Sequence, residues 1–462
     1  MNDFLRLIIN EFRDALPLAF LAVALCALGL GFAFVVFKLK YKGTRKFPFS
    51  KFLLYLTLAG YIALVLAVTV LRGEGLRGTN LHLFRAWREA WNSFSFKNWA
   101  NVLLNIAMFV PLGVLLPWIS KPFRKWYASI LCPFGFSLAI EVFQSISGRG
   151  LFDIDDLFAN TIGALFGYGL FMAIFSVYKK REKKALRVSA YAAIPTAIAL
   201  AVSSIFIVYA LQPYGNLQNA AIYRVSTKGV SFNCEYELSE EKQTVPIYKT
   251  EGFDTQSCDE FAISFLDGRT DIPSLDICYY DRETYYLDHR ENSLFVSHLD
   301  GSYEYNYHPD GKREPAELDR EGIEALLAEF GIFIPASTSF IYEGDGWHRF
   351  ESPMSKSDEL GGTLRCRYSS EGFIYAIYND MASFETCAEE KIISESEAFE
   401  QLKKGRFFGD VFEFLNPKSV NLLSCTLDYQ VDTKGFYQPV YMLKVTYDGT
   451  ADEMKIMIPA LD

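Results

Sequence analysis

Nine polar side chains in the first half of this 462-residue chain sit at spacings that could do chemistry. Asn105 follows Asn101 by one helical turn. Glu141 and Gln144 are three residues apart and share a helical face. Arg149, Asp153, Asp155 and Asp156 belong to the run Gly148-Arg149-Gly150-Leu151-Phe152-Asp153-Ile154-Asp155-Asp156. Asn160 comes one turn later, and Arg85 lies upstream where it could fold over the same spot. Such a set admits three chemistries. In the first, the arginines contact phosphate or carboxylate groups of an amphiphile while the amides and carboxylates hold its sugar or peptide groups. In the second, Glu141 and one aspartate form the acid–base pair of a hydrolase or transferase. In the third, Asp153, Asp155 and Asp156 offer hard oxygen ligands to Ca²⁺ or Mg²⁺. A plainer role competes with all three. Asp155 and Asp156 suit the first turn of a helix, where they favour its positive end, with Arg149 as an ion-pair partner.

These residues are carried by elements of unusual length. Six apolar segments run over about 16–37, 52–71, 100–119, 126–147, 157–178 and 188–210. A helix needs about 20 residues to cross ~30 Å of hydrocarbon, and each segment reaches that length. Glu141 is the one charged residue inside them. A bare carboxylate at membrane depth is costly, so it must be protonated, paired or open to a water-filled cleft. The first segment is too long for the apolar part of a cleaved signal peptide, and its basic residues follow rather than precede it. Ahead of it, Phe4, Leu5, Ile8, Ile9 and Phe12 fall on one face of a helix that could lie on the membrane surface.

Charge divides the chain and sets a direction. Residues 1–212 carry 23 Lys and Arg against 10 Asp and Glu, whereas the rest carries 22 against 45. The acidic half argues against nucleic acid as a partner, because phosphates would be repelled. Loops 38–51, 121–125 and 179–187 hold 15 basic residues and one acid, while those on the other side hold eight of each. The positive-inside rule places the first set in the cytoplasm. A multi-pass cell-membrane protein with both termini extracellular is therefore expected. The nine polar residues then gather near the outer ends of the spans. No polar trail continues to the cytoplasmic half, which makes transport the least favoured activity.

The ordered set Asn105-x5-Pro111-Leu112-Gly113, Glu141-x2-Gln144, Arg149-x3-Asp153-x-Asp155-Asp156 and Asn160-x2-Gly163-x3-Gly167 resembles the VanZ-like family over about residues 52–178. The family takes its name from a bacterial membrane protein associated with low-level teicoplanin resistance. The resemblance implies a membrane protein of the bacterial cell envelope. Extra spans flanking this core, and the long tail, depart from a minimal member. Gly163-x3-Gly167 reads more simply as a close helix-packing face than as a ligand feature, and Pro111 with Gly113 as a kink.

From Pro213 onward the pattern changes to short alternating runs. Tyr437, Pro439, Tyr441, Leu443, Val445 and Tyr447 alternate along a strand, Asp448-Gly449 marks a turn, and Met454, Ile456 and Ile458 return. Helices are expected over about 318–330 and 395–404, the second with Ser394 and Glu397 spaced as a capping box and Gly405 as its stop. The terminal unit faintly resembles extracytoplasmic regulatory domains of the YycI type, through Ser394-x2-Glu397-Ala398 to Gly405 and then Phe436-Tyr437-Gln438-Pro439-Val440-Tyr441. That would imply regulation through a protein partner. Six tail cysteines, Cys234, Cys258, Cys278, Cys366, Cys387 and Cys425, permit disulfides in an extracellular setting. The tail histidines fit no metal-ligand spacing.

The expected fold class is thus a multi-span α-helical membrane domain of six transmembrane helices, residues 1–212, followed by an extracellular α+β domain. The latter divides into subdomains 213–335 and 336–462. The leading function is binding or shielding of an outer-leaflet envelope component, a lipid-linked glycan or glycopeptide, giving glycopeptide tolerance. Ligand-binding residues are Arg85, Asn105, Glu141, Gln144, Arg149, Asp153, Asp155, Asp156 and Asn160. No cofactor is expected and no metal site is assigned. A membrane-anchored sensor or scaffold with a protein partner ranks second, and an envelope-acting hydrolase or transferase third.

Overall fold

A computed structural model describes residues 24, 27–29, 31–32, 34–40, 49–70, 78–178, 184–217, 223–268, 275–280, 282–288, 292–308, 313–354, 360–407 and 415–462. Most of the first expected span, and the whole amphipathic segment around Phe4–Phe12, lie outside these residues. The chain separates into two compact units, one mainly before and one mainly after Pro213.

In the first unit, five helices among the described residues are long and apolar enough to cross a membrane. They are α1 (Phe49–Val70), α3 (Phe96–Ile119), α4 (Trp126–Ser147), α5 (Ile154–Tyr178) and α6 (Lys184–Leu211), with the short helix α2 (Arg85–Ser93) between α1 and α3. They coincide with the last five apolar segments to within a turn. α3 and α5 pack backbone to backbone. A Cβ on Gly163 would run into the carbonyl of Ile106, one on Gly167 into that of Val110, and one on Gly113 into that of Ala164. Glycine is required at these positions by the close approach. Val65, Phe109, Leu112, Leu116, Ile140 and Ala164 form the apolar centre of the bundle.

α4 ends at Gly148, whose left-handed φ of 68° closes the last turn as its N–H bonds to Gln144 O. The chain then forms strand β2 (Phe152–Asp153), which pairs in parallel with β1 (Thr79–Asn80) from the α1–α2 connection. α5 starts immediately after, with Asp155 and Asp156 in its first turn.

The second unit is sheet-rich. Strands β3 (Tyr223–Arg224) and β15 (Arg406–Phe407) pair with each other. A six-stranded sheet is built from β4 (Ser231–Cys234), β5 (Thr244–Lys249), β14 (Glu385–Lys391), β16 (Ser419–Val431), β17 (Phe436–Tyr447) and β18 (Glu453–Pro459). Its order is β14-β5-β17-β16-β4, with β18 also on β17. The alternation expected for β17 and β18 holds: Tyr441, Leu443 and Val445 pair with Ile458, Ile456 and Met454. Their side chains share a core with Ala398, Phe399 and Leu402 of α9 (Glu395–Lys403). The Ser394–Glu397 capping box forms with both its hydrogen bonds, and Gly405 follows at φ 66°. At the hairpin tip Asp448 and Gly449 both take positive φ, as a two-residue turn of the right hand for a twisted ribbon demands.

An eight-stranded antiparallel sheet, β6 (Asp276–Tyr279) to β13 (Phe373–Asn379), is inserted between β5 and β14. Helices α7 (Thr255–Leu266) and α8 (Arg320–Ala328) cover one face of it through Phe265, Ile323 and Leu327. A division at 335/336 passes through this sheet, which takes strands from both sides of that point. The sheet pairs residues far apart in sequence, so its limits follow the hydrogen-bond ladder rather than any change in composition. All six tail cysteines are free thiols.

Candidate functional site

The acidic run after α4 folds back onto its own helix ends. Asp153 donates its backbone N–H to Glu141 Oε2 at 2.9 Å, so the one charged residue within a span meets the loop that follows it. Glu141 is buried, 3% exposed. Asp153 Oδ1 accepts from Asn80 Nδ2 at 3.1 Å and from the N–H of Asp155 at 2.8 Å. Burial pushes the Asp153 carboxyl above the ordinary aspartate range, against the pull of those two donors. Asp155, 2% exposed, reaches across to α2, where its carboxylate accepts the N–H groups of Phe84 and Ala86. It therefore caps a helix 70 residues upstream, satisfying donors that helix termini leave unpaired. Phe84 is held there at φ 68°, a left-handed conformation uncommon for a bulky residue, with its ring edge-on to Phe158.

Below this layer a second tier joins the helices. Asn105 Nδ2 on α3 donates to Asp156 Oδ1 on α5, and Asn160 Nδ2 on α5 donates to Ser137 Oγ on α4 at 2.9 Å. Asn160 is 3% exposed, and among the described residues its Oδ1 has no hydrogen-bond partner. Gln144 Nε2 donates to Thr69 O at the end of α1, 2.7 Å away.

Seven of the nine sequence-predicted residues are thus drawn into one seam between α1, α3, α4, α5 and the β1–β2 pair. The two arginines are not. Arg85 opens α2 and pairs with Glu89 of the same helix at 2.9 Å, both side chains about half exposed. Such a surface pair contributes roughly 0–1 kcal/mol. Arg149 is exposed behind Gly148, and among the described residues no acid forms an ion pair with it. The Arg85 side chain engages Glu89, and Arg149, which follows the left-handed Gly148, is exposed. The divalent-cation chemistry also lacks support. Asp153 and Asp155 turn oxygens to N–H donors, and among the described residues no group of three or more His, Cys, Asp or Glu could hold a metal ion.

Sequence reading missed Asn80, Ser137 and the α2 terminus. Ser137 carried a signal, since it lies one turn before Glu141 on the same face. Asn80 carried none, because its pairing depends on β1 and β2 meeting across 73 residues.

A family model matches the segment that carries these residues. The model of the VanZ/LLP1 family matches residues 20–176, a span that contains all nine of these residues and the whole of α1 to α4. The VanZ-like resemblance of the core is therefore found independently. No curated protein matches the chain. Among solved structures, the Bacillus megaterium YpeB C-terminal domain is similar at 14% identity, covering 46% of this chain and 94% of that one, with a TM-score of 0.21.

Proposed function

We propose that this is a VanZ-like membrane protein of the bacterial cell envelope that binds or shields an outer-leaflet component through the seam headed by Glu141. The observation that carries the reading is Glu141 itself: a buried carboxylate on a membrane helix, with one backbone donor and an orphan amide oxygen one tier below. Ionisable groups at membrane depth are costly and mark binding or relay sites. The distribution of basic loops supports an orientation with the seam at the outer surface and both termini outside. The ligand would be an amphiphile such as a lipid-linked glycan or a glycopeptide, and its sequestration would give glycopeptide tolerance. Glu141, Asp156, Asn160, Asn105 and Gln144 are the contacting residues; Asp153 and Asp155 shape the entrance. Teicoplanin susceptibility of a sensitive Gram-positive host tests this. Full-length protein should protect and Glu141→Gln at matched membrane level should not. Equal protection by both, or by neither, removes the seam from the function.

A second reading, a sensor or scaffold whose tail binds a protein, is favoured by one surface. On the eight-stranded sheet, the guanidinium of Arg365 lies 4.7 Å and that of Arg367 5.6 Å from the Trp347 ring, and Tyr378 packs at 5.2 Å. Trp, Tyr and Arg are the side chains enriched at binding hot spots. Trp347→Ala would abolish partner capture in this reading and leave glycopeptide susceptibility unchanged in the first.

A further inference from the structure

The seam's hydrogen-bond inventory restricts the chemistry of its ligand, and the argument rests on the seam being a binding site. It is rich in acceptors. Glu141 uses Oε2 for the Asp153 N–H, and Asp156 uses Oδ1 for Asn105. Their second oxygens take no hydrogen bond among the described residues. Asn160 Oδ1 is a third acceptor with no donor, on a side chain 97% buried by its 3% exposure. Asn160 stands one turn along α5 from Asp156, about 6 Å at 1.5 Å per residue, and its nitrogen is bound to Ser137, one turn from Glu141 on α4. Three acceptors therefore lie along adjacent turns of α4 and α5, and the Asn160 oxygen is buried without a donor among the described residues. Among the described residues no cation pairs with these acids. Arg85 engages Glu89 of its own helix, and Arg149 is exposed.

We propose that the seam receives the primary ammonium of an amphiphile, with its three N–H donors directed at Glu141, Asp156 and Asn160 Oδ1. An ammonium supplies both what the acceptors lack and the charge that the acids lack. A phosphate would meet carboxylates with which, among the described residues, no guanidinium is paired. A neutral hydroxyl would supply one donor and leave the charge unbalanced.

Full-length protein in phosphatidylcholine nanodiscs tests this by thermal unfolding with dodecylamine, dodecyl glucoside or dodecyl phosphate, since a ligand that binds the folded state raises the melting temperature. Dodecylamine should give a saturable rise in the wild type. Its midpoint should move at least tenfold higher in Glu141→Gln and also rise in Asp156→Asn, which can keep the Asn105 contact. If the amine acts equally on wild type and both variants, the proposal is overturned. If the glucoside or phosphate stabilises in a Glu141-dependent manner and the amine does not, the seam remains a binding site and the ammonium assignment fails. If no amphiphile acts through Glu141, both fail. Should Glu141→Gln not fold, Asp156→Asn decides between the same outcomes.

Discussion

Two buried carboxylates, one in each unit, solve the same physical problem differently. Asp432, 1% exposed, closes the β16–β17 hairpin in the sheet-rich unit. Its Oδ1 accepts from the N–H groups of Lys434 and Phe436 at 2.6 and 3.0 Å. Its Oδ2 accepts from the N–H of Gly215 at 2.6 Å and from Gln438 Nε2. Four donors saturate it. Glu141, 3% exposed on a membrane helix, has one donor. A buried charge that is fully hydrogen-bonded can be explained by structure alone, whereas one with spare acceptors stands ready for a further partner. Asp155, with donors on both oxygens, resembles Asp432 although it is the residue next to Asp156 of the Asn–Asp tier. The contrast separates scaffold acids from functional ones within a single acidic run.

Substitutions rank along that contrast. Asp432→Ala strands four donors and should cost the most, on the order of 3–5 kcal/mol, read as a lowered unfolding midpoint of the sheet-rich unit. Asp155→Ala strands the two N–H groups at the start of α2 and should cost about 2–3 kcal/mol, with faster amide exchange at Phe84 and Ala86. If Asp155→Ala leaves exchange there unaltered, Asp155 belongs with Glu141 instead.

His348 offers a pH test of the tail. It is fully buried, accepts the Leu318 N–H at Nε2 and faces Gly346 O through Nδ1. Burial lowers its pKa from the ordinary histidine value, against the nearby Glu317. The unfolded chain thus binds a proton first as pH falls, so stability is full above about 6.5 and declines below it. His348→Gln should flatten that slope in chemical unfolding between pH 7 and 5. Ser394→Ala removes the cap of α9 and should cost about 1 kcal/mol. Smallest of all, Glu141→Gln should change stability by under about 1 kcal/mol, since Gln keeps the Asp153 contact. A larger loss would make Glu141 a scaffold residue and end the comparison.

Much of this was legible from local pattern. Hydropathy marked α1 and α3 to α6, because an apolar run of about 20 residues has few other stable fates. Period-two alternation marked β17 and β18, and the Ser394–Glu397 spacing marked the start of α9, since a cap and the donors it satisfies lie within one turn. Gly163 and Gly167 indicated close packing, and α3 supplied the carbonyls.

What the sequence by itself determined, then, was the five long apolar helices, α8, α9, the β17–β18 hairpin and which polar residues lie in or beside the apolar segments. Those properties depend on neighbours within a few residues. Only the tertiary structure decided that Asp155 caps α2, that Asn80 reaches Asp153, that Arg85 and Arg149 stay outside the seam, and that the eight-stranded sheet interrupts the six-stranded one. Each of these depends on a hydrogen bond or ladder between segments tens to hundreds of residues apart, for which composition and spacing leave no local trace.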